Sequence, residues 1–362
     1  MDESQTSPRA LTIYDVARHA GVSIASVSRV LNGRNSPRPE TRERVLRAVA
    51  ELGFVPDGAA RALSSRLKEV VGVVYRRVNA RVDEFAISDE DESLLFVDVI
   101  NRGVEIAARR RGFDMLISSV DVYDQPDGRI DSMAGKSDGL ILHDPLLSLE
   151  KLSRIAKRTP IVTLAGRPTP NSVNVRADNE SSMRELVAHL LDEHGYRTLA
   201  YLGAHDDSPD SAARGAAFLA ECQRVGATAV TGPEWRGNYM ADGAAKIIAD
   251  HLARDESLPQ AIVCANDQTA LGVMYELTEN HIRVPEDVAV TGFDDIPVAR
   301  HLRPQLTTVR QPIQKLGATA FDALYAMISG GTPPEPEIVL PTSVVIRGSC
   351  GCQSDVVVPW GK

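Results

Sequence analysis

Between Glu69 and Phe293, short apolar runs alternate with helical patterns, and this alternation limits the chain to a few architectures. EVVGVVY is followed by a helix near 96–111, then FDMLISS, DGLILH, a helix near 148–157 and PIVTLAG. A second series runs through a helix near 179–194, TLAYLGA, helices near 211–225 and 239–253, QAIVCAN, a helix near 267–280 and DVAVTGF. Strand–helix alternation of this kind predicts parallel sheets covered by helices on both faces. Two series predict two lobes with a ligand cleft, because open parallel sheets bind at the carboxyl ends of their strands and pockets favour domain boundaries.

The first sixty residues follow a different rule. Thr12 is a good N-cap, after which Ile13, Val16, Ala17 and Ala20 share one helical face and Gly21 ends the helix. Val22 fills the corner, Ser23 can cap a second helix, and Val27, Val30 and Leu31 give that helix its own buried stripe before Asn32-Gly33. A third helix from about Glu40 to Leu52 turns Val45, Val49 and Leu52 inward and stops at Gly53. The spacing is that of a helix-turn-helix, whose second helix enters the major groove of DNA. A three-helix protein-binding domain is the plainer alternative, but it leaves the charge unexplained. The whole chain carries a net charge of −9, yet residues 9–63 hold nine Arg and no Lys against five acids. The acidity lies elsewhere, much of it in Asp83, Glu84, Asp89, Glu90, Asp91, Glu92 and Asp98.

Once the core of the second helix is assigned, Ile24, Ala25, Ser26, Ser28, Arg29 and Asn32 are left for the groove. Arg29 can contact guanine through two hydrogen bonds, whereas Ile24 and Ala25 offer apolar surface to a thymine methyl. Thr12, Tyr14, Ser23, Ser28, Asn32 and Thr41 are placed for phosphates. The stretch 57–68 reads as a linker with a helix of roughly two turns, too short to stand alone in water.

TIYDVARHAGVSIASVSRVLNG and PETRERVLRAVAELGFVPDGAARALSS closely resemble the headpiece of the lactose-repressor (LacI-type) family. The resemblance extends through CANDQTALGVMYEL, RVPEDVAVTGFDD, LRPQLTTVRQPIQKLG and VLPTSVVIRGSC. It implies an all-α helix-turn-helix headpiece joined to an α/β, two-lobed, periplasmic-binding-protein-like domain with three crossovers. The expected organisation is a disordered N-terminus at 1–10, a headpiece at 11–56, a hinge at 57–68, an effector and dimerisation domain at 69–348 and a tail at 349–362. Crossings near 166, 308 and 333 would divide that domain into an N-lobe of about 69–165 and 309–332 and a C-lobe of about 167–307 and 334–348. In such a family the hinge folds when two subunits meet on DNA and a leucine wedges into the minor groove; Leu63 matches that position, with Ala60 beside it, and such a wedge can kink the duplex. The acidic segment 79–95 looks longer than the family's loop, so the resemblance does not transfer ligand identity.

Arg214, in DSAARGAAF, matches the family arginine that reaches the effector, and Asp267, in ANDQ, is read as the acid facing it from the opposite lobe. Such a pair suits a polyol, since each group can make paired, charge-assisted hydrogen bonds to adjacent hydroxyls. Trp235 is a candidate aromatic platform for a sugar ring, and Asp178-Asn179 and Asn266 are weaker candidates. Each has a structural alternative: Asp267 could cap its helix, Arg214 could pair with a neighbouring acid and Trp235 could be core.

The expected function is a repressor that binds a pseudo-palindromic double-stranded DNA operator as a homodimer and is controlled by a small molecule, most commonly in this family a carbohydrate inducer; nucleobase-type corepression is the alternative. No GxxxxGK[ST] or HExxH is present and the first strand runs into Tyr75-Arg76-Arg77 rather than a glycine-rich loop, which argues against an enzyme with a DNA-binding appendage. No cofactor and no metal are expected. Cys350-Gly-Cys352 lacks the two-residue spacing and second ligand pair of a zinc knuckle and reads as part of the tail. The acidic start and the absence of any window near the roughly 18 apolar residues of a membrane helix predict a cytoplasmic, nucleoid-associated bacterial protein without a membrane partner.

Overall fold

The computed structural model describes residues 11–31, 37–55, 67–77, 94–121, 126–143, 145–254, 256–331 and 335–353. The chain divides into two compact units between Lys68 and Glu69. The smaller holds α1 (Ile13–Ala20), α2 (Ile24–Leu31) and α3 (Pro39–Leu52). Their core is Val16, Ala17, Ala20, Val27, Val45, Ala48 and Phe54, with Ile13, Val22, Val30, Leu31, Val49 and Leu52 packed around it. Asp15 closes the start of α1, accepting hydrogen bonds from the Thr12 backbone N–H at 2.9 Å and the Thr12 hydroxyl at 2.7 Å. At its other end Gly21 takes a left-handed conformation, so the chain turns directly into α2.

The larger unit opens with β1 (Val70–Arg77), α4 (Leu94–Arg110), β2 (Asp114–Asp121), α5 (Pro126–Lys136), β3 (Gly139–His143), α6 (Leu149–Ala156), β4 (Ile161–Leu164) and β5 (Ser172–Ala177). There follow α7 (Ser181–Asp192), β6 (Thr198–Leu202), α8 (Pro209–Val225), β7 (Thr228–Val230), α9 (Ala241–Ala253), β8 (Ala261–Cys264), α10 (Asp267–Glu279) and β9 (Ala289–Thr291). The chain finishes with β10 (Thr308–Arg310), α11 (Ile313–Ile328), β11 (Glu337–Leu340) and β12 (Ser343–Val345).

Two parallel sheets result, ordered β11-β5-β4-β3-β1-β2 and β7-β6-β8-β9, with β10 and β12 forming a separate antiparallel pair. The first sheet is buried on both faces because successive side chains alternate sides. Val71, Val73, Ile141, Val162 and Val175 face a core shared with Ile100 and Val104 of α4 and Phe321 and Leu324 of α11. Val74, Leu140, Leu142 and Ile161 face Ile130 and Met133 of α5 and Leu152 of α6. In the second sheet Leu199, Tyr201 and Val263 pack on Leu186, Leu190 and Phe218, while Ala200, Leu202 and Ile262 pack on Ile248, Val273 and Leu277. This double burial is why the strands read as unbroken apolar runs.

The lobe boundaries move from their expected places. β5 pairs in parallel with β4 and β11 with β5, so residues 172–177 and 337–340 belong to the first lobe. The first crossing therefore follows Ala177 rather than lying near 166, and the last follows Leu340 rather than lying near 333. The middle one lies after β10, beyond 308, because Val309 accepts from Asp294 N–H of the second lobe at 2.7 Å while Ile313 and Leu316 already sit in the first-lobe core. The first and last crossing segments are tied together: the Thr342 hydroxyl meets the Asp178 carbonyl and the Ser182 hydroxyl, each at 2.8 Å.

Candidate ligand cleft and nucleic-acid interface

In the smaller unit one face of α2 is spent on the core and the rest is presented outward. Val27 is fully buried, whereas Ile24, Ala25 and Arg29 are exposed. Arg29 has no ion-pair partner among the described residues, so its donors remain available to a base edge or a phosphate. Tyr14 projects from α1 with 62% of its surface exposed. Ser28 and Thr41 are half-buried. Ser23 caps α2, accepting the Ser26 N–H at 3.2 Å, and the Thr12 hydroxyl is spent on Asp15. Both therefore meet a partner through local capping before any phosphate. Asn32 and the hinge residues Ala60 and Leu63 lie outside the described residues, as does nearly all of the acidic 79–95 segment.

In the larger unit the chemistry gathers at the carboxyl edge of the second sheet. Arg214 lies in α8, which follows β6 and is capped by Ser208. Its guanidinium is 3% exposed and donates from Nε to Asn179 Oδ1 at 2.8 Å and from NH1 to the Ala265 carbonyl at 2.6 Å. Asp210 stands 3.6 Å away, and the cation sits 3.7 Å over the centroid of the Phe293 ring. Asn179 also donates to Asp210 at 2.8 Å, so it links the first crossing segment to this cluster. Burial alone would pull the guanidinium down, but Tyr239, Asp210 and Asp294 outweigh it and hold Arg214 above its ordinary value.

Asp294 is the acid poised against this cation from the turn after β9. It is 4% exposed and accepts a short hydrogen bond from Gln311 of the middle crossing. Burial pushes its carboxyl up to about 7, with Arg214 and Gln311 opposing that rise. Asp294 and Asp295 both have positive φ, 124° and 56°, a conformation costing non-glycine residues on the order of 1–3 kcal/mol each. The turn is held by the Asp295 carboxylate, which accepts from Arg310 and Arg347, each at 2.6 Å.

Asp267 does not face Arg214 from the opposite lobe, as the sequence led one to expect. It lies in the same lobe as Arg214 and is fully buried, and its two oxygens are occupied by the Thr308 hydroxyl at 2.5 Å and the Ile296 N–H at 2.9 Å. It is a staple across the ends of the second sheet, and burial pushes it well above the usual carboxylate range. Gly292 is required beside it, because a Cβ there would come within 2.2 Å of Asp267 Oδ1. The helix cap is Asn266, which accepts from Thr269 N–H at 2.9 Å and donates to the Tyr239 carbonyl at 3.2 Å. Asp178 likewise caps, accepting from Ser181 N–H at 3.0 Å, and its neighbour Asn179 is the residue that reaches Arg214.

Trp235 belongs to the core. It is 3% exposed, packs edge-on to His251 with ring centroids 5.4 Å apart, and lines with Ser208 and Arg236 a hollow of about 370 Å³ that Arg214 does not border. The aromatic ring against Arg214 is that of Phe293, while the Tyr239 hydroxyl meets Ser208, the cap of α8, at 2.8 Å. Sequence reasoning thus missed Phe293, Asp210, Asp294 and Gln311. The signal for Asp294 was available, an acidic doublet directly after the apolar strand DVAVTGF, where a parallel sheet presents its carboxyl end.

Residues 12–57 match the family described as bacterial regulatory proteins, lacI family, and residues 187–350 match the periplasmic binding protein-like domain. Catabolite control protein A of Priestia megaterium is 30% identical over 344 residues, covering 94% of this chain and 99% of its own. The crystal structure of the lac repressor dimer bound to operator and the anti-inducer ONPF superposes with a TM-score of 0.81 at 27% identity, covering 94% of this chain and 99% of that one. The complex of the transcriptional regulator CelR with cellobiose gives a TM-score of 0.64 at 28% identity, covering 94% and 99%.

Proposed function

Given that the chain belongs to the lacI family of bacterial regulatory proteins, we propose that it represses transcription from an inverted-repeat operator as a homodimer, and that a carbohydrate gripped around Arg214 releases it. It is a DNA-binding regulator rather than an enzyme, and it works in the cytoplasm. The observation that carries the proposal is the Arg214 cluster: a buried guanidinium, an amide and two acids gathered at the carboxyl edge of a parallel sheet. Vicinal hydroxyls can replace the Asn179, Ala265 and Asp210 contacts one for one, which favours a polyol ligand. The cluster adjoins the crossing segments through Asn179 and Gln311, so a bound ligand acts on the pieces of chain that join the lobes. The lac repressor dimer on its operator and the CelR complex with cellobiose support the dimer and the carbohydrate respectively.

The test is a thermal-shift screen of sugars and purines followed by fluorescence anisotropy on an inverted-repeat DNA. A ligand that binds only the native state raises the melting temperature. A sugar that does so and weakens DNA binding is the expected result. A purine that tightens DNA binding would replace induction by corepression, and no preference for inverted-repeat over random DNA would end the proposal.

A further inference from the structure

Four metal-ligating side chains unused by the Arg214 cluster meet at the C-terminal end of α7. His189 lies in its last turn, His194 two residues past its end, Cys350 at the close of the 3₁₀ turn Gly348–Cys350, and Cys352 just beyond. One ligand atom from each lies within 4.8 Å of all the others. His189 Nε2 and His194 Nε2 are 3.1 Å apart, Cys352 Sγ is 3.4 Å from each of them, and Cys350 Sγ is 3.7 Å from His189 Nε2. A tetrahedral zinc ion with Zn–S of about 2.3 Å and Zn–N of about 2.0–2.1 Å needs ligand atoms roughly 3.3–3.8 Å apart. The four observed separations, 3.1–3.7 Å, overlap that spacing.

The surroundings fix the ligands. Gly351 has φ 107°, and a Cβ on it would come within 3.2 Å of His194 Cε1, His194 Nδ1 and the Tyr196 hydroxyl. Only glycine lets the peptide between the two cysteines lie this close to the ring. The His194 ring stacks on Tyr196, with centroids 5.4 Å apart and planes 13° off parallel, and Tyr196 donates to the Cys350 carbonyl at 3.1 Å. Outer groups of this kind orient ligands before a metal arrives. Cys350 is fully buried, while Cys352, His189 and His194 are half-buried, which leaves a way in.

We propose that His189, His194, Cys350 and Cys352 form a closed, structural Cys2His2 site for a borderline-soft divalent cation, with zinc as the first choice. Four protein ligands leave no open position for catalysis. The Cys-x-Cys spacing alone pointed to no metal because the second pair is distant in sequence, with His189 lying 161 residues before Cys350. Metal there pins the segment carrying Arg347, whose guanidinium holds Asp295 at 2.6 Å, and so braces the turn that presents Asp294.

The test uses the full chain without a histidine tag, expressed in zinc-supplemented medium and purified under reducing conditions. Elemental analysis should find one zinc per chain. After chelation, titration with cobalt should produce the visible bands of a four-coordinate ion together with thiolate charge transfer, saturating at one equivalent and erased by zinc. Zinc should raise the melting temperature by several degrees in the parent chain and not in Cys352→Ser or His194→Asn, each checked for folding by circular dichroism. Zinc far below one per chain with a six-coordinate cobalt spectrum would overturn the proposal. So would stoichiometric zinc retained in a Cys352→Ser, His194→Asn double variant, or a Cys350–Cys352 disulfide formed equally fast with and without zinc.

Discussion

Arg76, at the carboxyl end of β1, donates to Asp207, in the loop after β6, at 2.7 Å, and the pair joins the carboxyl edges of the two sheets. One partner comes from each lobe, so the bridge is made only when the lobes are brought together. Its weight is limited by solvent, since Asp207 is 54% exposed. Pairs of this kind contribute roughly 0.2–1 kcal/mol, so Asp207→Asn should weaken effector binding by up to about fivefold. Ligand-free stability should hardly change, and added salt should narrow the difference between parent and variant. Isothermal titration at two ionic strengths measures both; equal affinity at low salt would show that the bridge plays no part in closure.

Arg29 stands exposed on α2 while Val27 anchors the opposite face. If Arg29 reads a guanine, Arg29→Ala should lose about 1–3 kcal/mol on the operator and relax the preference at one base pair. Anisotropy against an operator and its single-base variants reads this directly. Equal weakening on every sequence would mark a phosphate contact instead.

Removing Arg214 takes the donor from Asn179 Oδ1 and the Ala265 carbonyl and the counter-charge from the Asp210 carboxylate. Breaking a buried ion pair in this way costs on the order of 3–5 kcal/mol. Arg214→Ala should therefore lose that much in urea unfolding and bind operator without responding to effector. Arg214→Lys keeps the charge but lacks the planar fork, so it should recover part of the stability and little of the response. A variant that folds and is still released by effector would remove Arg214 from the ligand's contacts.

The helix-turn-helix was legible because its signals are local. The cap Thr12, the stop Gly21 and the stripe Val27, Val30 and Leu31 are each read within a turn or two of helix. The lobe boundaries were not, because β5 is claimed for the first sheet by pairing with β11, where Asn174 lies opposite Glu337. The roles of the acids failed for the same reason. Asp267 and Asp294 both follow buried strands, and which of them is consumed depends on Thr308 and Gln311, distant in sequence. Trp235 was open between a sugar platform and core, and the fold gives it to the core beneath α9. The histidine pair escaped notice because nothing local joins it to the cysteines.

The raised carboxyl of Asp294 makes stability depend on pH in a definite direction. In the unfolded chain this group ionises near its ordinary value of 3.8, and in the native protein near 7. Between those values the native state holds a proton the unfolded state has lost, so stability falls as pH rises through the window and levels off above it. Asp294→Asn removes the titration. Relative to the parent, the variant should gain on the order of 2–4 kcal/mol on going from pH 4 to pH 8, read from urea unfolding at each pH. Asp267 is raised in part by the Asp294 charge, so the variant relieves it and moves the difference in the same direction. A difference between the two proteins that stays constant with pH would mean that Asp294 is already ionised at the low end, held so by Arg214.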